Sequence, residues 1–244
     1  MELRFHHPEF EQEVRERLNI FDRPITDIDA KSVTELDFTN FDFKDEDVET
    51  LCLFGNLKIL SIGIEQKDAL FWSHFSKLEE LFWICWGSEI DFNAFSCMKH
   101  LSWLCVSGGD YSDIPFKNLE ALVPLQSLKY LQLHEFGPVD LAPLANMKQL
   151  KSFALRYTHM AENINTIGKM DWLEELALDG LYVDNLDFLD TLPNSMKIRM
   201  CGIEVFGRKQ VDVQKWRRFA KREVYEIQVK DPWWKYVDLS ALND

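Results

Sequence analysis

Leu57-Lys58-Ile59-Leu60-Ser61-Ile62 sets apolar residues at the first, fourth and sixth of six positions, and the chain repeats that spacing along most of its length. It returns as Leu78-x-x-Leu81-x-Trp83, Leu101-x-x-Leu104-x-Val106 and Leu128-x-x-Leu131-x-Leu133, then as Leu150-x-x-Phe153-x-Leu155 and Leu173-x-x-Leu176-x-Leu178. Shorter copies stand at Leu36-x-Phe38 and Ile198-x-Met200. The anchors Leu36, Leu60, Leu81, Leu104, Leu131, Phe153, Leu176 and Ile198 follow one another at intervals of 24, 21, 23, 27, 22, 23 and 22 residues. A period of two within each copy turns Leu60 and Ile62 to one side of a short strand and Ser61 to the other. One such unit cannot bury its apolar side alone, so successive units must stack into a continuous core.

The pattern resembles that of leucine-rich repeat proteins, over residues 33–203. The stretch Val139-Asp140-Leu141-Ala142-Pro143-Leu144-Ala145, followed by Met147-Lys148-Gln149-Leu150, is similar to the bacterial internalin-type repeat. The resemblance implies an α/β fold, a curved horseshoe solenoid with a parallel sheet on its concave side. Short helices and turns would line the convex side, with caps at both ends. Asp45 to Phe54, Asn163 to Met170 and Asp184 to Leu192 carry apolar residues at helical spacing, and Pro143 permits only a brief turn. One family feature is missing. The position five beyond each anchor, commonly asparagine, is here Phe41, Glu65, Trp86, Gly109, Phe136, Thr158, Leu181 and Ile203. The apolar replacements point to a hydrophobic spine in place of an asparagine ladder.

The outer segments read as closing units of a single domain, residues 1–244. Residues 1–32 form an N-terminal cap with a helix over Glu11 to Leu18, and residues 33–203 hold about eight repeats. Residues 204–244 form a C-terminal cap, with a helix from Val213 to Arg222 and a last strand through Tyr225, Ile227 and Val229. Arg208 to Arg222 holds seven basic residues and one acid, within a chain whose 27 Lys and Arg stand against 41 Asp and Glu. The resulting net charge of -14 opposes nucleic-acid binding and suits a basic protein partner. Apolar residues at 46% exclude general disorder. The charged start and the absence of a long apolar run predict neither a secretory leader nor a spanning helix. Five cysteines without a CxxC pattern fit reduced thiols, and together these features predict a cytoplasmic protein, monomeric when unbound.

If the register holds, the outward positions form columns across the concave sheet. Phe82, Trp103 and Tyr130 fall in successive units and predict an aromatic patch. Glu80 flanks it on one side, with Glu135, Glu175 and Asp179 on the other. His134 joins the concave face and Tyr157 its rim. These nine residues are the expected protein-binding set, since Tyr and Trp bury large rigid area while keeping a polar handle. An aromatic centre with acidic surroundings suits a partner bearing Lys or Arg.

No catalytic constellation emerges. Six histidines lie in different units without an HExxH pattern, Cys105 has only His134 and His100 nearby in register, and no phosphate-cradling or metal-ligand spacing occurs. The reading is therefore a non-enzymatic protein-binding scaffold without catalytic residues, metal or cofactor. An inhibitor or immunity protein against a basic protein toxin is its sharper form. The alternatives are a secreted leucine-rich repeat effector or adhesin, an intracellular regulatory adaptor and, last, a cysteine-dependent enzyme.

Overall fold

In the computed structural model every copy of the hexamer becomes a strand. The structure describes residues 1–39, 43, 45–65, 67–87, 89–108, 114–158, 161–183, 185–201, 203–206, 227–230 and 235–237. Eight strands lie side by side in chain order: β1 (Glu35–Phe38), β2 (Ile59–Ile64), β3 (Glu80–Cys85), β4 (Trp103–Ser107), β5 (Tyr130–Phe136), β6 (Ser152–Thr158), β7 (Glu175–Asp179) and β8 (Lys197–Cys201). All seven junctions are parallel, and anchor meets anchor at each: Leu36 opposite Leu60, Leu60 opposite Leu81, and so on to Leu176 opposite Ile198. The eight anchors are at most 2% exposed. The second inward row, Phe38, Ile62, Trp83, Val106, Leu133, Leu155, Leu178 and Met200, is as deeply buried. Burying each such side chain contributes about 1.5–3 kcal/mol before chain entropy opposes it.

The backbone welds each unit to the next in one recurring way. The carbonyl of Lys58 accepts from the amides of Glu79 and Glu80, that of Glu79 from Ser102 and Trp103, and that of Ser102 from Lys129 and Tyr130. Lys129 and Lys151 continue the series, each taking two amides from the following unit at 2.8–3.0 Å. A single acceptor with two lone pairs thus serves two donors at the start of each strand.

Opposite the sheet, the connections are short. Val48–Leu51 and Ala69–Ser73 are single α-helical turns, and later units use 3-10 turns, among them Phe92–Phe95, Ala142–Asn146 and Ile164–Lys169. A 3-10 turn rises about 2.0 Å per residue, so it spans the unit with fewer residues than an α-helix. Short flanking strands pair between neighbouring units, Ile90–Asp91 with Phe116–Lys117 and Val139–Asp140 with Ala161–Glu162. Beside each pair, an asparagine amide donates to an aspartate of the preceding unit: Asn118 Nδ2 to Asp91 Oδ1 at 2.8 Å and Asn163 Nδ2 to Asp140 Oδ1 at 2.7 Å. At the bend positions the asparagine count leaves vacant, Thr158, Leu181 and Ile203 are buried, whereas Glu65 and Trp86 are exposed.

At the N-terminus, helix α1 (Pro8–Leu18) begins a turn earlier than its apolar spacing indicated, because Pro8 suits the first helical turn. Phe10 and Val14 are wholly buried, with the Phe10 ring 5.0–5.7 Å from those of Phe5, Phe38, Phe43 and Phe54. Asp47, fully buried, fixes the approach to the helix by accepting from the backbone amides of His6 and His7, each at 2.8 Å. At the other end the strand Ile227–Lys230 pairs with Ile203–Phe206 instead of adding to β8, and Lys235–Val237 returns antiparallel to it. The expected helix over Val213 to Arg222 lies outside the described residues.

Candidate protein-binding face

The paired strands carry their outward side chains in three columns. The first runs Glu35, Ile59, Glu80, Trp103, Tyr130, Ser152, Glu175, Lys197. The second runs Asp37, Ser61, Phe82, Cys105, Gln132, Ala154, Ala177, Arg199. The third includes Gly63, Ile84, Ser107, His134, Arg156 and Asp179. Trp103 and Phe82 are half-buried and Tyr130 is 46% exposed. With Ile59, Ile84 and Glu80, Phe82 and Trp103 line a shallow groove of about 500 Å³. A second trough, about 570 Å³, lies further along the sheet. It is lined by Ser152, Ala154, Arg156 and Ala177, with Gln132 on the β5 side and Lys197 and Arg199 on the β8 side.

The charges do not surround the aromatics as the sequence reading expected. Glu80 is exposed, beside the apolar groove. Across the sheet, Glu175 is half-buried and its Oε1 accepts from Lys197 Nζ at 2.7 Å. Asp179, expected to face a partner, is only 5% exposed: its Oδ2 lies 3.1 Å from Arg156 Nε, and Arg199 Nε lies 3.9 Å from its Oδ1. The short contact is an ion pair without hydrogen-bond alignment, since Arg156 Nε and Asp179 Oδ1 have no hydrogen-bond partner. Desolvation confines a carboxylate at this depth to its cationic neighbours. The concave face is thus acidic and aromatic toward β1–β5, and of balanced charge toward β7 and β8. Sequence reasoning placed Arg156, Lys197 and Arg199 in the outward columns without assigning them a role. Their position one strand from Asp179 and Glu175 was the available signal.

His134 is half-buried, and its Nε2 is sealed from solvent with no hydrogen-bond partner. Burial first, and the Arg156 charge second, push its pKa down from 6.5 to about 4. The folded chain therefore holds His134 neutral where the unfolded chain would already bind the proton. This contribution to stability is present above about pH 6.5 and is lost as pH falls toward 4. An NMR titration of the imidazole is expected to give a midpoint near 4; a midpoint at 6.5 or above would contradict this environment.

Cys105 is 1% exposed, and burial pushes its thiol up to about 12, against which Arg156 acts only weakly. A thiol so protonated at neutral pH is a poor nucleophile. Among the described residues no group of three or more His, Cys, Asp or Glu is arranged to hold a metal ion, and no helix is long and apolar enough to cross a membrane.

The rim is defined by backbone conformation. Glu135 (φ 59°), Tyr157 (φ 54°) and Gly180 (φ 61°) occupy the same place in three successive units, each in the left-handed region. A side chain there costs about 1–3 kcal/mol of strain, which glycine avoids. Glu135 Oε2 accepts from Ser107 Oγ at 2.9 Å. The Tyr157 ring lies directly over Gly180, where an added β-carbon would come within 2.6 Å of it, yet the tyrosine remains 60% exposed. Trp86, 40% exposed, covers Gly63 in the same manner at the bend after β3.

No protein-family model and no curated protein sequence matches the chain. Among solved structures it is similar to an internalin (inlF) of Listeria monocytogenes, at 17% identity and a TM-score of 0.56, over 93% of this chain and 78% of that one. It is also similar to internalin C2 of the same organism, at 18% identity and a TM-score of 0.51, over 79% of this chain and 92% of that one. The fold is accordingly an internalin-like leucine-rich repeat solenoid. The cytoplasmic placement expected from the sequence is overturned by the same matches, because internalins are secreted or cell-surface proteins.

Proposed function

We propose that this chain is a non-enzymatic protein-binding scaffold whose concave sheet face holds a protein partner. The observation that carries this reading is the trio Phe82, Trp103 and Tyr130, set on three adjacent strands and left partly open to solvent although a buried core lies directly beneath them. Aromatic anchors in a shallow concavity are the usual centre of a binding site, and Glu80 in the same groove, with the exposed Asp37 two strands away, favours a partner with a basic surface. In its finer form the reading is an inhibitor or immunity protein that neutralises a basic protein toxin, the net charge of -14 speeding encounter. Within it, residues 1–32 and 204–244 serve to close the two ends of the repeat stack.

Affinity isolation on the immobilised chain, followed by calorimetry with the recovered protein, tests the reading. Trp103→Ala and Tyr130→Ala, each shown to be folded by circular dichroism, are expected to weaken binding by about 2 kcal/mol or more, roughly thirtyfold. Glu80→Lys should slow association at low salt and matter little at high salt. Unaltered affinity in both aromatic variants would remove the concave face as the site. A recovered basic toxin whose activity the chain suppresses supports the finer form, and a partner without such activity rejects it.

A further inference from the structure

We infer that the trough over β6, β7 and β8 receives a carboxylate of the protein partner, an aspartate or glutamate side chain, with Arg156 as the anchoring donor. The inference rests on the protein-binding reading above and adds to it a second contact, of opposite charge to the first.

Its starting point is an unsatisfied guanidinium. Arginine carries five N–H donors in a planar fork whose shape matches a carboxylate. Among the described residues, no side-chain N–H of Arg156 makes a hydrogen bond to a protein acceptor. Asp179 offsets its charge from 3.1 Å without hydrogen-bond alignment, and Nε is sealed from solvent. The part of the side chain that solvent reaches, 28% of it, lines the trough. A guanidinium this far desolvated gains from any acceptor brought to it, and a carboxylate takes two of its donors at once.

The trough supplies the rest of the site. Ala154 and Ala177 stand opposite each other in register, and their methyl groups lie low among longer neighbours. Gln132 and Ser152 add an amide and a hydroxyl donor, both half-buried and without a side-chain hydrogen bond among the described residues. Three cations of the lining, Arg156, Lys197 and Arg199, stand against one acid, Glu175. Glu175 is tied to Lys197 in an exposed pair, which holds weakly and yields to a guest. On a chain of net charge -14 this is a basic patch, and it selects an anionic group. The guest is a side chain of the partner because Tyr130 faces Ser152 across one strand spacing, about 4.8 Å. A protein seated on the aromatics therefore extends over the trough.

The test uses the full chain with acetyl-Gly-Glu-Gly-amide as probe and the glutamine peptide as its neutral control, at constant ionic strength. NMR should show saturable shifts at the amides of residues 152, 154, 156 and 177 and at the Arg156 Nε–H, with the glutamate peptide only. Arg156→Lys keeps a cation beside Asp179 but loses the fork, and should weaken the probe about tenfold. Ala177→Leu alters no charge and fills the trough, so it should abolish the saturable shifts while leaving the melting temperature unchanged. Equal response to the glutamine peptide, full affinity in Ala177→Leu, or a response to inorganic phosphate without one to the glutamate peptide would overturn the assignment. The two readings fail separately. If Trp103→Ala and Tyr130→Ala keep full affinity for the recovered partner while Arg156→Lys and Ala177→Leu weaken it, the aromatic site falls and the trough stands. If the aromatic variants lose the partner and the glutamate peptide shifts nothing in the trough, the trough alone falls.

Discussion

Trp83→Ala is expected to lower the unfolding free energy by about 3–5 kcal/mol, a shift of roughly 6–20 °C in melting temperature. The side chain is wholly buried and its ring sits among four others: Trp72 at 5.8 Å and Phe95 at 5.5 Å directly, with Phe71 and Phe75 edge-on to Trp72. Its indole N–H donates to the Ile64 carbonyl at 2.9 Å, so truncation also strands a buried acceptor at the end of β2. Trp83→Phe keeps most of the ring volume but loses the hydrogen bond and leaves a small void, so it should cost about 1–3 kcal/mol. Urea denaturation of the three proteins checks the order. A loss below about 1 kcal/mol in Trp83→Ala would mean that the aromatic cluster does not hold units two to four together.

Asp47→Ala is expected to cost about 2–4 kcal/mol, the second-largest effect. One carboxylate satisfies two backbone amides from a segment 40 residues away, each at 2.8 Å, and hydrogen bonds to a charged group are worth about 1.5–3 kcal/mol each. Without it the two donors at the entrance to α1 lose their partner, and the Phe10 plug over Phe38, Phe43 and Phe54 loses its tether. Hydrogen exchange should show the amides of His6 and His7 losing protection first, followed by those of α1, with β5 to β8 unchanged. Uniform loss across the chain would argue instead for global destabilisation.

The register of the eight strands was legible residue by residue, because a period of two aligned on recurrent leucines leaves only one way to bury them. Leu60 must face the core, so Ser61 faces out, and a parallel partner carries Phe82 beside it. What escaped that logic depends on contacts between units. Asp179 looks like a surface acid in the sequence, but Arg156 on one neighbouring strand and Arg199 on the other hold it at 5% exposure. The tie from Asp47 to His6 and His7 joins segments with no periodic relation. The left-handed turns at Glu135 and Tyr157 carry no glycine to announce them. Of the expected set, Glu80 and Tyr130 are open on the concave side and Tyr157 on the rim, whereas Phe82, Trp103, His134, Glu135 and Glu175 are half-buried. Localisation was beyond the reach of composition, since free thiols and net charge do not identify a compartment.

The carbonyls that each accept two amides from the following unit have a mechanical consequence. They point along the stacking direction, so tension applied between the first and last strands loads these bonds lengthwise, one interface at a time, instead of shearing many rows at once. The chain should therefore extend like a stack of coins peeled from an end, yielding at modest force in a sawtooth of short steps and re-forming as each unit finds its neighbour again.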